Sequence, residues 1–362
     1  MNIAVVGVGG AGCRIADRLA ARHGFSGGSP LSSGHAIDTD RKSLTTLAAI
    51  PEDSRQLLGQ YETGGEGTDG DREIARTILE EEGRTVRREV EDGIASTVDA
   101  IILIAGLGGG TAAAFTPAIA EGLATIYEQP VYTVSILPDS ARTTQQVARN
   151  TGDAMRTLES SVETQILFDN DLWLWGDRSL ESHAESLNAV LIDRLSTLLM
   201  IGMIADATTV GQRVVDTNDV IETLSGGGYT TLGFASKSVA DWRGVRVSAL
   251  DRVQRRLLGD NTQIHVRATA ISRTLAWATR GTLTFECPRD APDGGLVVFY
   301  GPPSWLIGDA IARGQDWLAD RTAVSSLRSG DVPVADASSV DVFVVLTGIT
   351  DAPRIQGFKT DE

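Results

Sequence analysis

Two glycine-rich turns constrain this 362-residue chain more than any other feature. The first, Gly7-Val8-Gly9-Gly10-Ala11-Gly12, follows the short apolar run at 3–6 (IAVV) and opens a helical stretch from Arg14 to about Ala21. The second, Gly106-Leu107-Gly108-Gly109-Gly110-Thr111, follows the apolar run at 98–105 (VDAIILIA) and opens a helix through about Leu123. Glycine lets the main chain approach an anion closely. A helix N-terminus adds unpaired N–H groups and the positive end of a dipole. One such turn followed by acids such as Asp38 and Asp40 is a dinucleotide-binding pattern, and taken alone it fits a nicotinamide-dependent oxidoreductase or a bare structural turn. Two of them on separate parallel strands can clasp a longer polyphosphate from two sides. Gly108, Gly109 and Gly110 present consecutive N–H donors, and Thr111 adds a hydroxyl. No G-x-x-x-x-G-K-[ST] sequence occurs, which excludes a P-loop.

The remaining pattern predicts an α/β fold. A third apolar strand is expected at 130–137 (PVYTVSIL) and a charged helix from about Arg72 to Gly93, with residues 23–35 as loop and 36–40 as a strand end. Alternating strands and helices make a doubly wound parallel sheet with ligands at the strands' carboxyl ends. Leu187, Leu191, Leu195, Leu198 and Leu199 recur at helical spacing and predict a long helix over 180–203, a spine between two domains. Beyond it a smaller mixed unit is expected, with strands at 263–270, 281–286, 295–300 and 341–347 and an amphipathic helix at 304–320. The predicted division is a nucleotide domain at 1–179, a core helix at 180–206, a C-terminal domain at 207–356 and a free tail at 357–362.

Composition narrows the function. The chain has 48 acidic against 32 basic side chains, a net charge of −16, which argues against nucleic acid as a partner. Only Lys42, Lys237 and Lys359 are lysines; the remaining basic side chains are arginines. An acidic, lysine-poor surface suits solvation in concentrated salt, where screening collapses ordinary charge repulsion. No apolar run is long enough for a membrane helix, and the start, MNIAVVGVGG, has no secretory pattern, so a cytoplasmic protein is expected. Two cysteines and four histidines make neither a disulfide framework nor a metal cluster, and Cys13 reads as a small filler. The positive field around a phosphate must then come from backbone amides, arginines and a bound cation.

These residues carry a resemblance. The chain resembles the tubulin/FtsZ superfamily, and most of all its haloarchaeal CetZ branch. The turn at 106–111 resembles the start of the family's GGGTGSG motif, and Phe168-Asp169-Asn170-Asp171-Leu172-Trp173 is similar to its FDNDAW segment. Leu187-Asn188, Val214 to Asp219, Leu224 to Gly228, Gly301-Pro302-Pro303 and Gly348-Ile349-Thr350 match further family segments in order along nearly the whole chain.

The resemblance implies GTP or GDP on the N-terminal part. Gly9, Gly10, Ala11 and Arg14, with Gly106, Gly108, Gly109, Gly110, Thr111 and Ala112, would surround the phosphates. Asp38 and Asp40 would hold magnesium there, directly or through water, with K+ or Na+ as other cations. Asn170 would touch ribose or base, and Asn188 would read the guanine edge. It also implies self-association into head-to-tail protofilaments, alone or with other CetZ- or FtsZ-like proteins, and a role in cell shape. GTP would be hydrolysed at the subunit interface by Asp219, with Asp216 as its partner, delivered from the neighbouring copy.

The residues allow plainer roles as well. Asp216 and Asp219 suit helix N-capping, Asn170 an Asx turn, and Asp38 and Asp40 a solvated strand end. The family motif continues here as Ala112-Ala113-Ala114, and a methyl at Ala112 would cost roughly 1–2 kcal/mol if the backbone there were left-handed. Ala184 stands one turn before Asn188, where the family often has an aromatic ring, and Pro138 to Arg142 departs from the family's ribose loop. The second function class is therefore a divergent, non-hydrolysing paralogue that binds nucleotide weakly and acts as a structural or regulatory partner.

Overall fold

Successive residues of the first strand point to opposite faces, yet all are apolar, because helices cover both faces. Ile3 and Val5 join Ile102 and Ile104 in a core shared with the first helix and the long central helix. Ala4 and Val6 join Ile101 and Leu103 in a second core, under the helices of the other face. The computed structural model describes residues 1–174, 180–201, 203, 211, 213–243, 261–320 and 322–359.

Along the chain come β1 (Ile3–Val8), α1 (Gly9–His23), β2 (Leu31–Asp38), α2 (Arg41–Thr45), β3 (Arg55–Leu57), α3 (Gln60–Thr63), α4 (Arg72–Gly93), β4 (Ala100–Gly106), α5 (Gly110–Ile126), β5 (Val131–Leu137), α6 (Gln145–Leu158) and β6 (Thr164–Asp169). Then follow α7 (Leu180–Ile201), α8 (Thr217–Leu224), β7 (Tyr229–Ser238), α9 (Val239–Arg243), α10 (Asn261–Ala278), β8 (Gly294–Gly301), α11 (Gly308–Ala319), β9 (Ser326–Pro333), β10 (Ser339–Ile349) and α12 (Pro353–Lys359).

The strands form one sheet in the order β3-β2-β1-β4-β5-β6-β7-β10-β8-β9. From β3 to β7 every pairing is parallel. β10 runs antiparallel to both β7 and β8, and β8 pairs parallel with β9. The halves join through two residue pairs, Gln165 with Tyr229 and Ile166 with Thr230. Further along, Thr284 stands between the strands: its amide donates to Leu232 and its carbonyl accepts from Asp169, both at 2.8 Å.

α7 is the predicted spine. Its five leucines are buried in the core that also takes Leu232, Val298, Phe343 and Val345 from the C-terminal strands. Arg18 and Arg22 of α1 pair with Glu185 and Asp193 of α7, tying the spine to the first turn's helix. α10 and α11 cover the opposite face of the C-terminal strands.

Several sequence expectations are corrected. Residues 263–270 are helical, within α10. Ala268, Ile271, Leu275 and Ala278 are buried at helical spacing, and this longer pattern outweighs the brief alternation around Val266. Residues 281–286 are not a strand, although Thr284 bridges two of them. β2 begins at Leu31 inside the expected loop, β6, β7 and β9 were not predicted, and α11 starts only at Gly308. Gly357 to Lys359 close a helix whose Phe358 is buried, so the expected tail is docked as far as Lys359. Trp175, part of the end of the 180–206 segment and residues 360–362 lie outside the described residues.

Candidate functional site

Both glycine turns lie at the carboxyl ends of neighbouring strands, β1 and β4, and they touch. Gly9 has φ +70°, and a Cβ there would come 3.2 Å from the Ala112 methyl. A Cβ on Gly12 would lie 1.9 Å from the Ile104 carbonyl oxygen, so only glycine lets α1 start this close to β4. A Cβ on Gly106 would meet the Ala11 methyl at 3.1 Å. The result is two helix N-termini side by side.

These two N-termini are chemically bare. α1 starts after Val8 and α5 after Gly109; neither has a side-chain cap, and neither has an acid in its first turn. Their first amides and the positive ends of both dipoles converge on one spot, which is what an anion requires. Gly10 and Ala11 are partly exposed, Gly108 is partly exposed and Gly109 is open to solvent. Ala112 sits in right-handed helix, so its methyl carries none of the strain expected for a left-handed backbone. That methyl is buried in the seam against Gly9.

A third loop closes over the second turn. Residues 64–71 contain four glycines with positive φ, namely Gly64, Gly65, Gly67 and Gly70. A Cβ on Gly110 would clash with the Asp71 carbonyl oxygen at 2.5 Å and with Thr68 Oγ1 at 2.7 Å. The buried Thr111 hydroxyl bonds to Thr39 Oγ1 at 2.7 Å and to Thr68 Oγ1 at 3.3 Å, so three hydroxyls lock α5, the end of β2 and this loop together. Asn150 of α6 donates to the carbonyls of Gly70 (2.9 Å) and Gly108 (3.1 Å). Sequence reasoning missed Thr39, Thr68 and Asn150; the Gly-rich run 64–70 was the available signal.

The acids beside the first turn divide in role. Asp38 is buried; its Oδ1 accepts from the Thr39 amide at 2.8 Å, while Oδ2 has no hydrogen-bond partner among the described residues. A Cβ on Gly10 would meet Ser43 Oγ at 2.9 Å, the Arg14 guanidinium at 3.3 Å and Asp38 Oδ2 at 3.5 Å, so that oxygen faces the turn. Burial raises the Asp38 pKa against the opposing pull of the Thr39 amide. Asp40 is used differently: its Oδ1 caps α2 through the Lys42 amide at 2.8 Å, and Oδ2 accepts from Ser43 at 3.1 Å. Among the described residues no group of three His, Cys, Asp or Glu side chains forms a metal cage. Cys13 is the expected filler: its thiol lies 3.4 Å from the carbonyls of Gly7 and Ile37, and burial pushes its pKa far up.

Asn170 begins a short 3-10 turn after β6 and donates to the Leu137 carbonyl at 2.9 Å. It therefore links the ends of β5 and β6, on the side away from β1. Asp171 accepts from the Ser140 amide at 2.8 Å, tying in the loop that follows β5. Asn188 and Ala184 are half-buried on α7. Trp173 stacks on Phe168, with the Arg194 guanidinium 4.6 Å from its ring centre, so it is packing.

Asp216 and Asp219 form a reciprocal capping box on α8. Asp216 Oδ1 accepts from the Asp219 amide at 3.0 Å, and Asp219 Oδ2 accepts from the Asp216 amide at 3.1 Å. Asp219 Oδ1 also lies 3.6 Å from Arg328 Nε. α8 leads into Gly228, whose carbonyl accepts from Gln165 at the start of β6. The segment after α8 thus reaches the amino ends of the parallel strands, the pole opposite the glycine turns.

Known proteins share this fold. Residues 2–175 match the tubulin/FtsZ family GTPase domain, and residues 177–361 match the C-terminal domain of tubulin-like CetZ. The chain belongs to the CetZ family of tubulin-like proteins. The tubulin-like protein CetZ5 of Haloferax volcanii is 32% identical over 99% of this chain and 91% of its own length. CetZ1 of the same organism is 30% identical over 98% and 90%. The structure of the GDP-bound CetZ1 monomer superposes with a TM-score of 0.82 at 28% identity, covering 100% of this chain and 98% of that one. A GTPγS-bound CetZ2 protofilament gives 0.81 at 26% identity, with 99% and 96% covered. The α/β tubulin-like fold expected from the sequence is the fold observed.

Proposed function

We propose that this CetZ-family chain binds GTP and GDP at the paired glycine turns and assembles head to tail into cytoplasmic filaments that hydrolyse GTP and act in cell shape. The observation that carries this reading is the junction at Gly9 and Ala112, where two uncapped helix N-termini meet beneath the 64–71 loop. That junction offers backbone donors to a polyphosphate without needing lysine. Asn170 and Asn188 supply amide groups toward ribose and guanine. Asp38 Oδ2 fits a water or cation bridging to the phosphates; the phosphates would provide the rest of any magnesium shell. The cation supplies charge neutralisation for phosphoryl transfer.

The polarity of the fold supports assembly. The glycine turns occupy one pole and the segment that follows α8 reaches the other, which supports a reading in which one copy's Asp219 serves a neighbour's nucleotide rather than its own. A repeat of that contact generates a filament because the two surfaces differ. The similarity to a CetZ2 protofilament supports the same geometry. No helix among the described residues is long and apolar enough to cross a membrane. In this reading the nucleotide domain spans 1–179, the core helix 180–206 and the C-terminal domain 207–356.

The test is calorimetric titration of GTP and GDP in multimolar KCl, paired with pelleting in the presence and absence of GTP. Binding at micromolar concentration and GTP-dependent pelleting are expected. Absence of binding at millimolar nucleotide overturns the reading and leaves the non-hydrolysing structural partner.

A further inference from the structure

The last described helix reaches back to the nucleotide half. Ile355 and Phe358 of α12 are buried in the core that holds Leu158 of α6. A Cβ on Gly152 of α6 would lie 2.1 Å from the Phe358 carbonyl oxygen, so the two backbones meet without side chains between them. Lys359 pairs with Glu159 at 2.7 Å. This seating places Arg354 over the ends of β5 and β6. Its Nε lies 3.2 Å from Asp169 Oδ2, and its Nη2 lies 3.0 Å from Asp171 Oδ2 and 2.5 Å from the Pro138 carbonyl oxygen. The Phe358 ring sits 4.9 Å from the guanidinium carbon.

One guanidinium therefore ties three points on two loops. Asp169 caps the turn that starts at Asn170 by accepting from the Asp171 amide at 3.2 Å. Asp171 holds the loop after β5 through the Ser140 amide at 2.8 Å and hydroxyl at 3.2 Å. Asn170 stands between the two acids and bonds to Leu137. Without the guanidinium, two neighbouring carboxylates would repel each other and any anionic ligand nearby.

We propose that Arg354 is a positioning residue for the nucleotide: through Asp169 and Asp171 the C-terminal helix holds the two loops on the sugar and base side, so that nucleotide affinity depends on α12 remaining docked. The proposal rests on the nucleotide reading given above. Arg354 is suited to the task because its planar fork reaches both acids and a carbonyl at once, which an ammonium group cannot do. Burial lifts Asp169 to about 6 even against the pull of Arg354, with Asp171 adding to the rise, so protonation near that pH releases one arm of the clamp.

The experiment measures GDP affinity by calorimetry for wild type, Arg354→Ala, Arg354→Lys, Asp171→Asn and the Arg354→Ala/Asp171→Asn double variant. Amide hydrogen exchange on the nucleotide-free proteins accompanies it. Arg354→Ala is expected to weaken GDP roughly tenfold, Arg354→Lys less, and the double variant no more than Arg354→Ala, since both changes remove one linked device. The Ser140 and Asp171 amides should exchange faster in Arg354→Ala. Wild-type affinity should fall as the pH drops below 6, and Arg354→Lys should keep part of that dependence. Unchanged affinity in Arg354→Ala, or strictly additive losses in the double variant, overturns the clamp while wild-type binding stands. Absence of GDP binding by wild type instead removes the nucleotide reading and the clamp's role in affinity with it. Arg354→Lys and Asp171→Asn decide the matter if Arg354→Ala fails to fold.

Discussion

Two kinds of helix start coexist in this chain. α8 opens with Asp216 and Asp219, each satisfying the other's backbone amide. α4 and α6 open likewise on Asp71 and Thr144. α1 and α5 open on Val8 and Gly109, with neither cap nor first-turn acid. A capped start is worth about 1 kcal/mol, so leaving two starts bare costs stability. α3 and α11 also open without a side-chain cap, but each has an acid in its first turn, Glu62 and Asp309; α1 and α5 have neither, and they meet at Gly9 and Ala112. The contrast is between two adjoining starts that leave their amides open to an outside anion and the starts of α4, α6 and α8, whose amides are closed off by side chains.

Substitutions at each kind of start test this contrast. At the capped start, Asp219→Ala should lower polymer-dependent GTP turnover about a hundredfold or more, within the range for a residue that orients the attacking water. It should cost only about 1 kcal/mol in denaturant unfolding, as half of a capping box. The polymers should become longer-lived in pelleting assays; unchanged turnover would remove Asp219 from the reaction.

Converting a bare start into a capped one should move stability and binding in opposite directions. Gly109 is exposed and in extended backbone, and a Cβ there meets nothing closer than the Gly106 carbonyl oxygen at 3.7 Å. Gly109→Asp should therefore cap α5 and raise unfolding free energy by about 0.5–1 kcal/mol. It should also weaken GTP roughly tenfold or more by placing a carboxylate where phosphate is proposed to sit. A rise in both quantities would end the claim that the bare start is a binding device.

Ala112→Gly is a finer probe. Because Ala112 is ordinary right-handed helix, restoring the family's glycine should change GTP affinity by less than about threefold. It should cost up to about 1 kcal/mol of stability. A large gain in affinity would show that the methyl in the seam obstructs the ligand.

The smallest effect concerns pH. Asp169 protonates near 6 in the folded chain against an ordinary value of 3.8. Between those values the folded state binds the proton more readily than the unfolded state. This group's contribution to stability therefore rises as pH falls from 7 toward 5, even while its hold on Arg354 loosens. Denaturant titrations of wild type and Asp169→Asn at pH 7 and 5.5 should differ by that slope.

Much of this molecule was legible in its residues because glycine spacing and apolar runs are local signals. The two turns, the strands before them, α4 and the leucine stripe of α7 stand as read. The second half was harder. Thr164 to Asp169 and Ser326 to Pro333 mix polar and apolar residues because neighbouring strands, not their own periodicity, make them strands. Val266 and its neighbours imitate a strand over a few positions, and only the wider alanine spacing reveals α10. The site shows the same division. Gly9 and Gly110 announce themselves, whereas Thr39, Thr68 and Arg354 matter through partners far away in sequence, which no motif encodes.

The narrow join of the sheet has a mechanical consequence. Only two rungs connect β6 to β7, and past them Thr284 takes the place of a continuous ladder. Tension applied along a filament axis would meet its weakest lateral bonding there. α7 and α12 are the struts that cross beside it, so a pulled subunit should yield by swivelling about this joint before either half loses its own strands.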